Sequence, residues 1–255
     1  MIAIALSGLV AIVALMVAGW VVSFIKNDVS VVDSLWGPAC FLPLVVYTAQ
    51  LPSVGSRVIA VLVLAGLWAL RLAVFVTWRN HGKPEDRRYA EMRERNGAGW
   101  RWRSLFTVFL LQATLAWLVS VPLLAVAVGT GRVFWLDYVA AALVIFGLVF
   151  ETIADLQMAA FQQRPKNADG VMNQGLWRYS RHPNYFGEFC VWWGFFLFAA
   201  ATGGWWSVLG PALLTFFLLK VSGIGLTEKG ITKRRPAYQA YIDRTSAFIP
   251  QLPKS

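Results

Sequence analysis

Apolar residues run through the chain in long blocks, separated by short polar connections. Seven blocks, at about 2–25, 30–51, 58–78, 105–128, 133–155, 187–203 and 205–224, approach or exceed the roughly 18 mainly apolar residues that cross a hydrocarbon core. Each predicts a membrane-spanning helix. The connections are KND, LPSVGSR, a basic loop over 79–104, GTGR, a polar loop over 156–186, a tight GGW turn and a basic tail over 225–255. The fold expected is therefore all-α, a polytopic membrane protein of seven transmembrane helices. No internal repeat or low-complexity segment interrupts the pattern, so a single integral membrane domain is expected over 1–255. The first block lacks a basic leader and a small-residue cleavage site, and reads as a retained helix rather than a signal peptide.

Composition agrees with that pattern. Of the 255 residues 58% are hydrophobic and only 14% charged, against about 25% charged in soluble domains. The 13 tryptophans suit aromatic belts at the two membrane interfaces. A formal charge of +10 raises the question of nucleic acid, but the charge sits in loops between apolar blocks and no nucleic-acid motif accompanies it. Its distribution orients the chain instead. With the N-terminus outside, the inner side receives Lys26, eight basic residues of loop 79–104, four of loop 156–186 and six of the tail, while the outer side receives only Arg57 and Arg132. That asymmetry places the C-terminus in the cytoplasm. Cys40 and Cys190 lie inside apolar blocks without metal-ligand spacing, so neither a disulfide scaffold nor a zinc site is expected.

Four carboxylates interrupt the apolar blocks on the cytoplasmic side. A carboxylate in mid-membrane costs roughly 2.5–3.5 kcal/mol on insertion scales, so each needs a reason. Asp33 stands early in the second block, in VVDSLWG; Glu151 and Asp155 share one helix face in the fifth; Glu188 opens the sixth. Taken singly they read as interfacial residues or arginine partners. Together, beside a basic loop and tail, they read as the wall of a binding cavity. Asp137, at the outer end of the fifth block, reads as a plain interfacial charge. Arg71, in LWALRLAVF, is expected to pair with Asp33, because a lone arginine at that depth is costly.

Three polar blocks share the inner side: ETIADLQMAAFQQRPKNADG, GLWRYSRHPNYFGE and TEKGITKRRPAYQAYIDRTSAFIP. Arg164, Lys166, Arg178, Arg181, Lys233, Arg234, Arg235 and Arg244 offer cations, and guanidinium forks chelate phosphate oxygens in pairs. Asn184, Glu188, Glu151 and Asp155 suit ribose and amide groups. Trp177, Tyr179, Tyr185, Tyr238 and Tyr241 offer ring faces or hydroxyls, and His182 and Glu228 complete the set. No GxGxxG or GxxxxGK[ST] is present, so neither a Rossmann site nor a P-loop is supported. The plain alternative for any one of these arginines is a positive-inside anchor.

ADLQxxxFxxxP, followed by GLWRYSRHPNYFGE and a tail of the form EKxxxKRRPxYxxYxxRTSxFIP, resembles the steroid 5-alpha reductase-like superfamily, most closely its bacterial branch. Sterol C=C reductases and isoprenylcysteine carboxyl methyltransferases are more distant kin. The resemblance extends over almost the whole chain, including VVDSLWG and the PEDRRY stretch at 84–89. It implies an NADPH site lined by Asn184 and Glu188, with Glu151 and Asp155 at the place of an Asn/Asp pair. It also implies that Asp33 stands where the reductases hold their substrate ketone with a glutamate. The partner tyrosine of their third span has no clear equivalent in WALRLAV. A bacterial inner membrane is the implied location, with 1–104 as the substrate side and 105–255 as the cofactor side.

Three functions follow as expectations. The first is reduction by NADPH of an activated C=C bond in a lipophilic, steroid-like or isoprenoid enone. Hydride arriving at the β-carbon leaves charge on the carbonyl oxygen, which needs a nearby donor. Asp33 supplies it only as the neutral acid, with Arg71, or Tyr89 if loop 79–104 folds back, as second donor. The second is an S-adenosylmethionine-dependent methyltransferase, whose cofactor carries a sulfonium and no phosphate and so leaves the arginines idle. The third is a non-catalytic lipid-binding membrane protein. The expected partners are a lipophilic small molecule and membrane lipid.

Overall fold

A computed structural model describes residues 1–163, 170–221, 223–228, 231–234 and 236–254. Among these residues every regular element is a helix. Five helices are long and apolar enough to cross a membrane, which makes this a multi-pass membrane protein. They are α1 (Ile2–Lys26), α2 (Val31–Thr48), α3 (Ser56–Asn80), a composite helix over Arg87–Val119, and α8 (Trp135–Gln162). The composite comprises α4 (Arg87–Asn96), α5 (Trp100–Ser104), a π-helical stretch at Leu105–Leu110 and α6 (Leu111–Val119). It is followed by α7 (Val121–Val128), and α8 by α9 (Pro183–Ala200) and α10 (Leu209–Phe216). Three short helices complete the tail: α11 (Ile224–Glu228), α12 (Ile231–Arg234) and α13 (Tyr238–Arg244).

The block expected at 105–128 as one helix breaks at Ser120, the junction of α6 and α7. Pro122 has no amide hydrogen to continue the ladder, and the chain restarts there with Pro at the first turn. The sixth block begins earlier than expected, at Pro183, so Asn184 and Glu188 lie inside the first two turns of α9. The last apolar block spans Trp205–Val221, shorter than the long spans.

The chain divides into two compact units, one of Met1–Phe134 with Phe198–Gly210, the other of Trp135–Leu197 with Pro211–Ser255. The first unit takes in α6, which packs on α1 and α2, and α7, which packs on α2 and α3.

In the first unit, α1 packs on α2 and α2 on α3. Gly37 of α2 lets the backbones close up, since a Cβ there would lie 2.8 Å from the Ala69 carbonyl oxygen of α3. Trp117 Nε1 of α6 donates to the Ala5 carbonyl of α1 (2.9 Å). Arg57, expected in an outer loop, is buried in the first turn of α3, where it donates to the carbonyls of Gly131 (3.2 Å) and Arg132 (2.7 Å).

In the second unit, α8 and α9 meet along a seam of small residues. A Cβ on Gly187 would lie 2.7 Å from the Glu151 amide nitrogen and 2.8 Å from the Gly147 carbonyl. One on Gly194 would lie 3.0 Å from the Val144 amide nitrogen. These neighbours are backbone atoms of a helix and cannot swing aside, so Gly187→Ala forces α8 and α9 apart. The expected cost is about 1–3 kcal/mol, read as a thermal midpoint lowered by several degrees in detergent. Gly99→Ala, whose Cβ would meet only Arg103 Nε at 3.6 Å, is the near-neutral control. An unchanged midpoint for Gly187→Ala would show that the seam is loosely packed.

Candidate functional site

In the first unit the PEDRRY stretch folds back onto the start of α2. Ser30, one residue before α2, accepts the Asp86 amide on its hydroxyl (2.7 Å), and the Val29 amide donates to Glu85 Oε1 (2.8 Å). Asp86 caps α4 by accepting the Arg88 amide (2.9 Å). These bonds deliver two side chains to Asp33. Tyr89 Oη donates to Asp33 Oδ1 (2.7 Å), and Arg88 Nη2 donates to Asp33 Oδ2 (3.0 Å). Gln112 Nε2 approaches the Tyr89 hydroxyl at 3.4 Å. Tyr89 is 5% exposed, whereas the Arg88 side chain is 47% exposed and so marks the side from which the cluster meets solvent. Asp86 anchors Arg88 through Nε (2.9 Å). Burial works to raise the Asp86 carboxyl, but hydrogen bonds from Arg88 and the charges of Arg88 and Arg79 outweigh it and hold it below the usual carboxylate range.

The ion-pair partner of Asp33 is thus Arg88 rather than Arg71. Arg71 lies two residues beyond Ala69, the residue abutting Gly37 of α2, and so about 200° round α3 from that contact. Its guanidinium stands over the Phe75 ring, 5.5 Å from the centroid. Asp33 accepts both of these hydrogen bonds and so orients Tyr89. The adjacency of an N-capping Asp86, Arg88 and Tyr89 in PEDRRY is the signal that could have found Arg88.

In the second unit the α8–α9 seam sets Glu151 and Asp155 beside the first turns of α9. Both are buried, and Asn184 Nδ2 donates to Asp155 Oδ1 (3.3 Å). Asn184 Oδ1 is buried and, among the described residues, has no hydrogen-bond partner. An acceptor in that state suits a ligand that brings an N–H or O–H. Glu188 lies one turn further along α9, half-buried.

The remaining predicted residues are drawn into a clamp that sews the tail to the start of α9. Arg181, 8% exposed, donates through Nε and Nη2 to the two carboxylate oxygens of Glu228 (2.7 and 3.1 Å). Its Nη1 donates to the carbonyls of Thr245 (2.6 Å) and Ile242 (3.1 Å). His182 Nε2 lies 3.0 Å from Glu228 Oε1, and its ring stacks on Tyr185 at 5.3 Å. Glu228 sits well below the usual range, at about 2: burial pushes it up, but hydrogen bonds from His182 and Arg181 and the guanidinium charge pull it further down. Backbone bonds run the same way, from Arg181 to Ser246 (2.8 Å), Gln251 to Tyr179 (3.0 Å) and Lys254 to Arg244 (2.9 Å). Ser180, fully buried, donates to the Phe248 carbonyl (2.7 Å).

Several expected stacking faces are occupied by the same clamp. Trp177 is buried with Nε1 donating to the Ala154 carbonyl (3.0 Å), and the Tyr241 hydroxyl donates to the Trp177 carbonyl. Burial beside Tyr238, which packs edge-on at 5.4 Å, raises the Tyr241 hydroxyl above its ordinary value and keeps it a donor. Gln157, which the sequence did not single out, accepts the Leu176 amide (3.0 Å) under Gly175, a glycine with φ of 57°. Arg178 and Tyr179 remain exposed. Arg178 and Arg244 have no carboxylate partner among the described residues. Arg164, Lys166, Arg235 and the side chain of Arg234 lie outside the described residues.

Residues 19–245 match the family described as "Protein of unknown function (DUF1295)". The chain is also similar to "Uncharacterized protein C594.04c" of Schizosaccharomyces pombe, 28% identical over 270 residues, which cover 91% of this chain and 76% of that protein. No solved structure matches.

Proposed function

We propose, from the premise that the chain belongs to the DUF1295 family, that it is a membrane oxidoreductase reducing an activated C=C bond of a lipophilic enone. The motif likeness to the steroid 5-alpha reductase-like superfamily points the same way. The observation that carries this reading is the Asp33–Tyr89 hydrogen bond of 2.7 Å, with Arg88 on the other carboxylate oxygen. A tyrosine hydroxyl held by a carboxylate is a ready donor for a carbonyl oxygen that gains charge in the transition state. Rotation about the Cζ–Oη bond redirects its hydrogen from Asp33 to that oxygen, while Asp33 keeps Arg88. Gln112 supports the hydroxyl from a third side.

NADPH supplies the hydride when bound. Asn184, Asp155, Glu151 and Glu188 would hold its amide and hydroxyl groups, and the unpartnered Asn184 Oδ1 fits that role. Arg181 does not fit a phosphate role, because Glu228 and two carbonyls take its donors. Among the described residues, Arg178 and Arg244 are exposed arginines that remain for phosphate. In this reading the seven apolar blocks all cross the membrane, the N-terminus lies outside, and the cofactor end faces the cytoplasm.

The commitment of Arg181 favours a second reading. A cluster rich in acceptors, with Glu151, Asp155 and Asn184 together, also suits the cationic sulfonium and ammonium groups of S-adenosylmethionine. Thermal stabilisation of the purified protein by NADPH, NADH and S-adenosylmethionine separates the two. The expected outcome is a midpoint raised by NADPH, with Asn184→Ala and Glu188→Ala each weakening that binding about tenfold. A shift with S-adenosylmethionine alone reverses the assignment. Unchanged NADPH affinity in both variants places the cofactor elsewhere.

A further inference from the structure

Beside Arg79, which donates to Asn80 Oδ1 (3.3 Å) and stands over the Phe75 ring, the arginines of the 79–104 segment fall into two sets. Arg87 pairs with Glu91 (2.7 Å), Arg88 with Asp33 and Asp86, Arg93 with Glu85 (2.9 Å) and Arg95 with Glu91 (4.0 Å). Arg101 and Arg103, in WRWRS, have no carboxylate partner among the described residues. Both are exposed. Arg101 lies over the Phe24 ring of α1 at 4.6 Å from its centroid, and Arg103 Nη1 donates only to Asn96 Oδ1 (2.8 Å). The segment is held rigidly. Trp100 is buried, Trp20 Nε1 donates to the Arg101 carbonyl (2.9 Å), and Trp102 packs on Trp20 at 5.2 Å between centroids.

Beside these two uncompensated cations stands a bare apolar lane. Trp102 and Phe106 are each 63% exposed and Leu111 is 52% exposed, leading along the helix away from the arginines. Positive charge at one end of an apolar lane on a membrane-embedded helix matches an amphiphile with an anionic head and a hydrocarbon chain. We propose that Arg101 and Arg103 form a headgroup site for an anionic phospholipid, whose acyl chain lies along Phe106 and Leu111. Arg101 and Arg103, about 200° apart on α5, flank the headgroup from either side of Trp102, which sits at the level of the glycerol backbone, and Trp100 and Trp20 fix the register. The lane is what selects a lipid over a free anion. This site is independent of the enzymatic reading.

The test uses the full chain in detergent, with phosphatidylglycerol and phosphatidylcholine of the same acyl composition as probes and native mass spectrometry as the readout. The wild type is expected to retain phosphatidylglycerol preferentially, and to lose the preference as salt rises. The Arg101→Gln/Arg103→Gln variant is expected to bind it roughly thirtyfold more weakly, on the scale by which basic residues contribute near an anionic surface. The Arg87→Gln/Arg95→Gln variant removes the same net charge from carboxylate-paired positions and is expected to change retention by less than about threefold. Equal losses in the two variants overturn the site, as does a preference insensitive to salt or absent from the wild type. Displacement of the lipid by an equal concentration of inorganic phosphate also overturns it, since a bare anion would then suffice.

Discussion

Asp33→Ala is expected to lower turnover by about 10²–10⁴-fold while NADPH stabilises the variant as well as it does the wild type. Tyr89→Phe is expected to do the same, because it removes only the hydroxyl from a ring that is 5% exposed. Arg88→Gln should cost less, since Arg88 touches the far oxygen of Asp33 and orients the carboxylate rather than the substrate. Arg71→Gln should fall within about threefold of wild type, on the same scale as other residues outside the reacting groups. The measurement is NADPH oxidation by the protein in nanodiscs, against a panel of sterol, isoprenoid and fatty enones. A fully active Tyr89→Phe enzyme would move the donor role elsewhere and remove the main support for a reductase.

Arg181→Met is the variant expected to damage the fold most, by about 3–5 kcal/mol, the scale for removing one partner of a buried ion pair. It strands the Glu228 carboxylate and leaves the Ile242 and Thr245 carbonyls without their donor. Limited proteolysis should then cut the tail first. Removing both charges, as Arg181→Met/Glu228→Met, should recover part of the loss but not all, because the two carbonyls stay unpaired. Full recovery would assign the whole effect to the ion pair.

The same clamp sets a pH dependence. The folded protein holds the Glu228 carboxyl at about 2, below its unfolded value of 4.5, so the folded state binds that proton less readily. The stabilisation is therefore complete above about pH 4.5 and disappears as pH falls toward 2. The difference in thermal midpoint between wild type and Glu228→Gln should be constant near neutrality and close over that acid window. A difference that persists undiminished in acid would mean that Glu228 contributes through packing alone.

The long apolar blocks make α1, α3 and α8 legible within a few residues at most ends, because burial in hydrocarbon is written in consecutive residues. Hydropathy does not register the break at Ser120, which depends on the missing amide of Pro122. Nor does it register the true start of α9, where polar Asn184 and Glu188 belong to the helix. Side-chain partnerships are less legible still. Asp33 asks for a cation, and Arg71 answers by depth in its block, but 55 residues separate Asp33 from the Arg88 that reaches it. Helical phase decides between them, and it requires knowing which face of α3 meets α2. Arg181 reads as a phosphate ligand because its motif is rich in cations, whereas Glu228, 47 residues on, has already claimed it. The Tyr89 contact is the more readable one, since a polar stretch such as PEDRRY has few places to fold except against the carboxylate nearest the loop.

The strap across the start of α9 also bears on how the protein is made. Thr245, whose carbonyl receives Arg181, is translated 64 residues after it. Until the ribosome has delivered that segment, the RHPNYFGE turn waits with its guanidinium unpaired. The polar end of this unit is therefore finished only late in biosynthesis, and nascent chains stalled before Thr245 would display an unpaired guanidinium to the quality-control machinery.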